Sequence, residues 1–175
     1  MWTSATRRGL PRDGLLLHCS IPRQTLSVID QGRLAHTYPV STSAIGSGCI
    51  AESLCTPTGW HAIQERIGAG CPPGSVFRDR QPTGEILPPT AWRGGSADRI
   101  LTRILWLEGL EDGHNRGPGC DSHARYIYIH GTNREDLLGQ PASRGCIRLG
   151  NLDLVELFDR VANRPAWCLI QDQAA

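Results

Sequence analysis

His130 and Cys146 lie sixteen positions apart, each beside a glycine, in the stretch YIYIHGTNREDLLGQPASRGCIRLG that runs from Tyr126 to Gly150. A thiol and an imidazole are the pair that nucleophilic acyl transfer needs, because the imidazole can take the proton that keeps sulfur from attacking a carbonyl. Their surroundings fit that chemistry if both segments are strands, whose side chains alternate between two faces. From Tyr126 to His130 the alternation puts Ile127 and Ile129 on an aliphatic face and Tyr126, Tyr128 and His130 on the other. From Gly145 to Leu149 it sends Ile147 and Leu149 inward and leaves Cys146 and Arg148 together. A thiol and a guanidinium then face one cleft, the guanidinium placed to hold a substrate carboxylate. Gly145 carries no side chain, so backbone N–H groups around Cys146 can approach a developing oxyanion, and a helix starting near Asn151 adds a positive field.

The elements that must position these residues are mostly strands. Gln24 to Asp30 and Leu34 to Val40 alternate on either side of a turn at Gly32 and read as a hairpin. Gly14 to Ser20, Trp60 to Ile67, Ile100 to Leu107, Arg125 to His130, Cys146 to Leu149 and Ala166 to Gln171 are further strand candidates. One helix is expected, capped by Asn151, with Leu154, Leu157, Phe158 and Val161 on its buried face and a stop at Asn163 and Pro165. The Gly/Pro-rich stretches Ser41 to Gly59, Gly68 to Gly95 and Gly109 to His123 read as long loops, which in compact domains are commonly binding walls. The expected fold is mainly β, a sandwich or partial barrel with one C-terminal helix after Cys146 and long loops over the cleft. Residues 1–13 read as an extension, 14–171 as the domain and 172–175 as a tail.

Composition narrows the chemistry further. All eighteen basic residues are Arg, which excludes a phosphate-loop lysine, a Ser-Lys pair and a Schiff base. A net charge of +1 with 6% aromatic residues offers neither a basic stripe nor a stacking platform, so nucleic acid is not an expected partner. No cofactor is called for. Arg7 and Arg8 precede an apolar run of only Leu15 to Leu17, short of the roughly 7 to 15 residues of a secretory core, and no stretch approaches the ~18 of a membrane span. The expected location is cytoplasmic, with the seven cysteines as free thiols; a periplasmic location is the alternative if the native N-terminus has been trimmed.

The combination is more specific than its parts. HGTNREDLLGQPASRGCIRL resembles the signature of the L,D-transpeptidase catalytic domain, the YkuD family, in which HGT is followed downstream by S-x-G-C-I-R. QTLSVIDQGRLAHTYPVSTS resembles that family's N-terminal hairpin, and CTPTGWHAI its Thr-Pro-x-Gly turn before a strand, so the likeness extends from Leu15 to Ile170. It implies that Cys146 is the nucleophile, His130 the base and Gly131 the residue whose carbonyl orients the imidazole. Ser143, Arg144 and Gly145 would shape the oxyanion site, and Arg148, Tyr128 and Thr132 would meet substrate. Many relatives have His where this chain has Arg144, which leaves His130 as the one base, since Arg does not give up its proton near neutrality. The implied substrate is a peptidoglycan stem peptide or muropeptide. Cys146 would attack the carbonyl of the third-position diamino acid and expel D-Ala, after which water completes an L,D-carboxypeptidase reaction or an amine completes a 3-3 cross-link. A cytoplasmic enzyme would meet recycled muropeptides, which favours hydrolysis.

Two other readings compete. Cys120, His123, His130 and Cys146 are enough ligands for tetrahedral zinc. Arg144 also keeps open a wall-peptide-binding module without chemistry. Trp60, Trp92, Trp106 and Trp167 read as anchors, with Trp92 able to line the cleft, and His36 and His61 read as structural.

Overall fold

The computed structural model describes residues 14–95 and 97–173. Its strands are β1 (Leu15–Ser20), β2 (Thr25–Asp30), β3 (Arg33–Ser41), β4 (Gly59–Ile67), β5 (Ser75–Arg78), β6 (Gln81–Ile86), β7 (Ile100–Gly109), β8 (Tyr128–Thr132), β9 (Ile147–Leu149) and β10 (Ala166–Gln171). The helix α1 (Asn151–Val161) separates the last two. The sheet order is β4-β10-β1-β2-β3-β9-β8-β7-β5-β6, and β4 also pairs with β7. That extra pairing closes eight strands into a ring and leaves the β5–β6 hairpin projecting from β7. The mainly β architecture with a single C-terminal helix is therefore present, as one closed mixed sheet. Closure leaves the ring without free edges.

The run Leu15-Leu16-Leu17 shows how the ring is packed on both faces. Leu15 and Leu17 enter the main core with Leu26, Val40, Leu105, Ile129, Ile147 and Leu149. Leu16 points the other way and packs with Ile29, Trp60 and Leu169. Helix α1 lays Leu154, Leu157, Phe158 and Val161 into the main core, at the three- and four-residue spacing the sequence predicts.

Three expectations are corrected. The segment from Gly68 to Gly95, read as loop, contains the hairpin β5–β6, whose second strand is exposed throughout and so carries no hydropathy alternation. The strand expected from Arg125 begins instead at Tyr128 and runs on to Thr132, because Tyr126 adopts φ 57° and breaks the extended chain. Asn151 does not cap α1. Gly150 is the capping residue, and the Glu135 carboxylate accepts the Asn151 backbone N–H at 2.7 Å.

Candidate active site

Strands β8 and β9 lie side by side and parallel, with Ile129 opposite Ile147 and His130 opposite Arg148. Ile129, Ile147 and Leu149 face the main core. The opposite face carries Tyr128, His130 and Arg148, with Cys146 in the turn that leads into β9. Two hydroxyls shape that turn. Ser143 Oγ donates to the Cys146 carbonyl at 2.6 Å and accepts the Gly145 N–H at 3.3 Å. Thr56 Oγ1 donates to the Gly145 carbonyl at 2.9 Å. Gly145 is called for by its φ of +120°, and a Cβ there would also be tight, 3.3 Å from both the Cys55 carbonyl oxygen and Ile127 Cδ1.

His130 is buried at the end of this face. Its Nδ1 lies 2.8 Å from the Gly131 carbonyl oxygen. A carbonyl can only accept, so Nδ1 carries the hydrogen and Nε2 is left as the proton acceptor. Gly131 has no room for a side chain, because a Cβ would sit 2.4 Å from Asn151 Oδ1 and 2.7 Å from the Leu101 carbonyl oxygen. Burial holds the imidazole below its usual range against the raising effects of the Gly131 carbonyl and the Asp98 charge, while Arg148 lowers it further. Burial likewise pushes the Cys146 thiol up to about 11, although a backbone hydrogen bond from Tyr128 and the charges of Arg148 and Arg125 oppose it. The residue as a whole is only half-buried, so the enclosed thiol remains beside an open cleft. At rest the pair is neutral thiol and neutral imidazole.

Arg148 is 4% exposed and donates from Nη2 to Asp98 Oδ2 at 2.5 Å. Its Nε and Nη1 have no hydrogen-bond partner among the described residues. On the other side of Cys146 stands an aromatic wall. Trp106 meets Tyr128 edge to face with centroids 5.5 Å apart, and His123 stacks on Trp106 at 4.0 Å. Cys146 packs against the same cluster as Trp106 and Tyr128.

The structure thus brings together Cys146, His130, Gly131, Ser143, Gly145, Arg148 and Tyr128. Arg144 is exposed, two positions before Cys146. Thr132 is set apart from the cleft, fully buried, with its hydroxyl accepting the Arg134 N–H at 3.0 Å. Trp92 is also not on the cleft; it is buried and donates its indole N–H to the Leu87 carbonyl at 2.9 Å. The four residues weighed as zinc ligands are dispersed. His123 turns toward Glu65, Cys120 toward the Arg116 and Gly117 carbonyls, and no group of three metal-ligating side chains is gathered among the described residues. Asp98 is the charged neighbour that the sequence reading missed, and nothing in its local sequence marks it.

The profile of the L,D-transpeptidase catalytic domain, YkuD, matches residues 15–167. The chain belongs to this family. The probable L,D-transpeptidase YbiS of Escherichia coli strain K12 is 28% identical over 169 residues, covering 87% of this chain and 48% of that protein. The putative L,D-transpeptidase YqjB of Bacillus subtilis is 40% identical over 68 residues, covering 39% of this chain and 34% of that protein. This chain therefore spans half or less of the length of these curated relatives. Among solved structures, L,D-transpeptidase 3 from Mycobacterium tuberculosis superposes with a TM-score of 0.54 at 14% identity, covering 91% of this chain and 61% of that one. An L,D-transpeptidase from Mycobacterium smegmatis gives 0.52 at 16% identity, covering 90% and 58%. At these identities the likeness is one of fold.

Proposed function

We propose that this chain cleaves the L,D bond between the third-position diamino acid and D-Ala of peptidoglycan tetrapeptide stems, through a thioester on Cys146. The observation that carries the reading is the fixed tautomer of His130. With Nδ1–H held by the Gly131 carbonyl, Nε2 is free to take the Cys146 proton as sulfur attacks, and then to hand it to the departing amine of D-Ala. Carbon–sulfur bond formation, carbon–nitrogen cleavage and proton transfer balance without any other group. Backbone amides of the turn at 144–146 receive the oxyanion. Buried and paired with Asp98, Arg148 flanks the imidazole rather than reaching for a substrate carboxylate.

The acceptor we assign is water, which needs no second peptide site, so that tetrapeptide becomes tripeptide; the corresponding location is the cytoplasm, with soluble muropeptides as substrates. The test is mass spectrometry of the full chain incubated with a free tetrapeptide stem, with and without an excess of an amine acceptor. Tripeptide alone in both mixtures is the expected result. A transferred product in the second would replace hydrolysis by transpeptidation, and an intact tetrapeptide in both would remove the L,D reading.

A further inference from the structure

The reaction proposed above expels a residue that ends in a free carboxylate. By standard bond lengths that carboxylate lies within about 5 Å of the carbon under attack. A cation is therefore needed close to Cys146, and Arg148 is buried and paired with Asp98. Three other arginines stand near Cys146, of which Arg125 is committed to the Gly48 and Cys55 carbonyls at 3.1 and 2.7 Å. Arg144 is exposed, and no hydrogen bond or ion pair among the described residues holds it. Arg80 is held in place.

Three observations single out Arg80. First, its guanidinium carbon lies 5.1 Å from the ring centroids of both Trp106 and Tyr126, and its Nη1 approaches the Tyr128 hydroxyl at 3.4 Å. Cation–π contact orients a guanidinium through its face, and with one Nη1 hydrogen spent on Tyr128 the Nε–Nη2 edge stays available to a bidentate acceptor. No carboxylate among the described residues pairs with it. The rings that hold it border Cys146, whose Sγ lies 3.4 Å from the Tyr126 carbonyl oxygen.

Second, the conformation at Arg80 is costly. Arg78 pairs with Gln81, so the hairpin turns on Asp79 and Arg80 alone, at φ 49° and 65°. A two-residue turn with positive φ at both positions favours Asp-Gly. Arginine in the glycine position is strained, and the ring contacts of its side chain hold it there.

Third, Arg80 opens onto a cleft of about 370 Å³, shared with Glu65, Ile67, Cys71, Phe77 and Pro82. Its apolar floor is continuous with the cluster against which Cys146 packs. Glu65, the acid on the wall, is hydrogen-bonded to His123.

We propose that Arg80 binds the C-terminal carboxylate of the substrate and seats the leaving residue in the cleft beside the β5–β6 hairpin. This assignment rests on the L,D-cleavage reading, because that chemistry supplies the carboxylate. The experiment compares kcat/KM of the full chain for a tetrapeptide stem with a free C-terminus and for the same peptide as its C-terminal amide, in the wild type, Arg80→Gly and Arg80→Lys. Arg80→Gly relieves the turn, so loss of folding does not confound it.

The wild type is expected to prefer the free acid by roughly 10- to 100-fold, the range of a charge-assisted hydrogen bond. In Arg80→Gly the ratio falls toward one, chiefly through KM for the acid, and Arg80→Lys keeps part of it. An equal loss on both peptides would make Arg80 a brace for the hairpin and overturn the assignment, as would an unchanged ratio. Cleavage of neither peptide by the wild type would remove the L,D reading and this assignment with it.

Discussion

At rest the Cys146 thiol keeps its proton and donates it to the Tyr126 carbonyl at 3.4 Å. A thiol pushed to about 11 and an imidazole held below its ordinary range do not form a thiolate–imidazolium pair, so in the proposed reaction His130 would take the proton only as attack proceeds. The pH dependence follows from this. A protonated His130 cannot accept, so the acid limb of kcat/KM is expected below 6.5, and no alkaline fall is expected until the thiol itself ionises toward 11. Asp98 raises His130, so Asp98→Asn should move the acid limb to still lower pH; a limb that stays in place would separate Asp98 from the imidazole. Substitution checks the roles directly. Cys146→Ala should abolish turnover with the fold intact, and His130→Ala should slow acylation by about 10²- to 10⁴-fold, the usual worth of a general base. Single-turnover release of D-Ala reads both, and full turnover by Cys146→Ala would remove sulfur from the chemistry.

The site is held by elements that meet only in the fold. Asn151, first residue of α1, is pressed against Gly131 on β8, accepts the Thr102 hydroxyl from β7 at 2.6 Å and donates to the Thr132 carbonyl at 2.8 Å. Glu135 binds both the backbone and side-chain N–H groups of Asn151, at 2.7 and 2.8 Å, placing negative charge at the helix N-terminus. Glu135→Ala should therefore cost about 1 to 2 kcal/mol, a capping contribution, and lower Tm by a few degrees in a chain of this size. A melting curve unchanged by that substitution would mean that water replaces the carboxylate without loss. The same cap shows where sequence reading stops. The buried face of α1 was legible because its apolar residues recur at helical spacing, whereas the carboxylate that takes its first N–H comes from sixteen residues upstream of Asn151 and is placed only by the fold. The face that carries His130 and Arg148, with Cys146 leading into it, was legible because alternation in β8 and β9 separates it from the core residues Ile129, Ile147 and Leu149. Arg80 and Asp98 were not, since β6 is exposed throughout and Asp98 belongs to no strand or helix; pairing of β5 and β7 with their neighbours brings both to the site.

Closure of the whole ring depends on β4, and His61 sits at the junction. It is paired with Cys168 of β10 on one side and Gly109 of β7 on the other. Its side chain is fully buried, with Nε2 3.0 Å from the Ser122 hydroxyl and Nδ1 3.1 Å from the Gly59 carbonyl. Burial lowers this imidazole from 6.5 to about 4, so the folded ring keeps it neutral in a range where the unfolded chain binds a proton. Stability from this group is complete above 6.5 and is lost as pH falls from 6.5 through about 4. The loss is roughly 3 kcal/mol by linkage, a large part of the stability of an ordinary domain. His18 and His130 are also lowered mainly by burial and act in the same direction, so the wild-type slope alone does not isolate His61. Chemical denaturation at several pH values between 4 and 7 in wild type and His61→Gln does isolate it. Gln keeps a donor and an acceptor for Ser122 and Gly59, and the variant should take up close to one proton fewer on unfolding across this window. Equal slopes in the two proteins would mean that His61 is protonated inside the fold and that the junction of the ring is open to water.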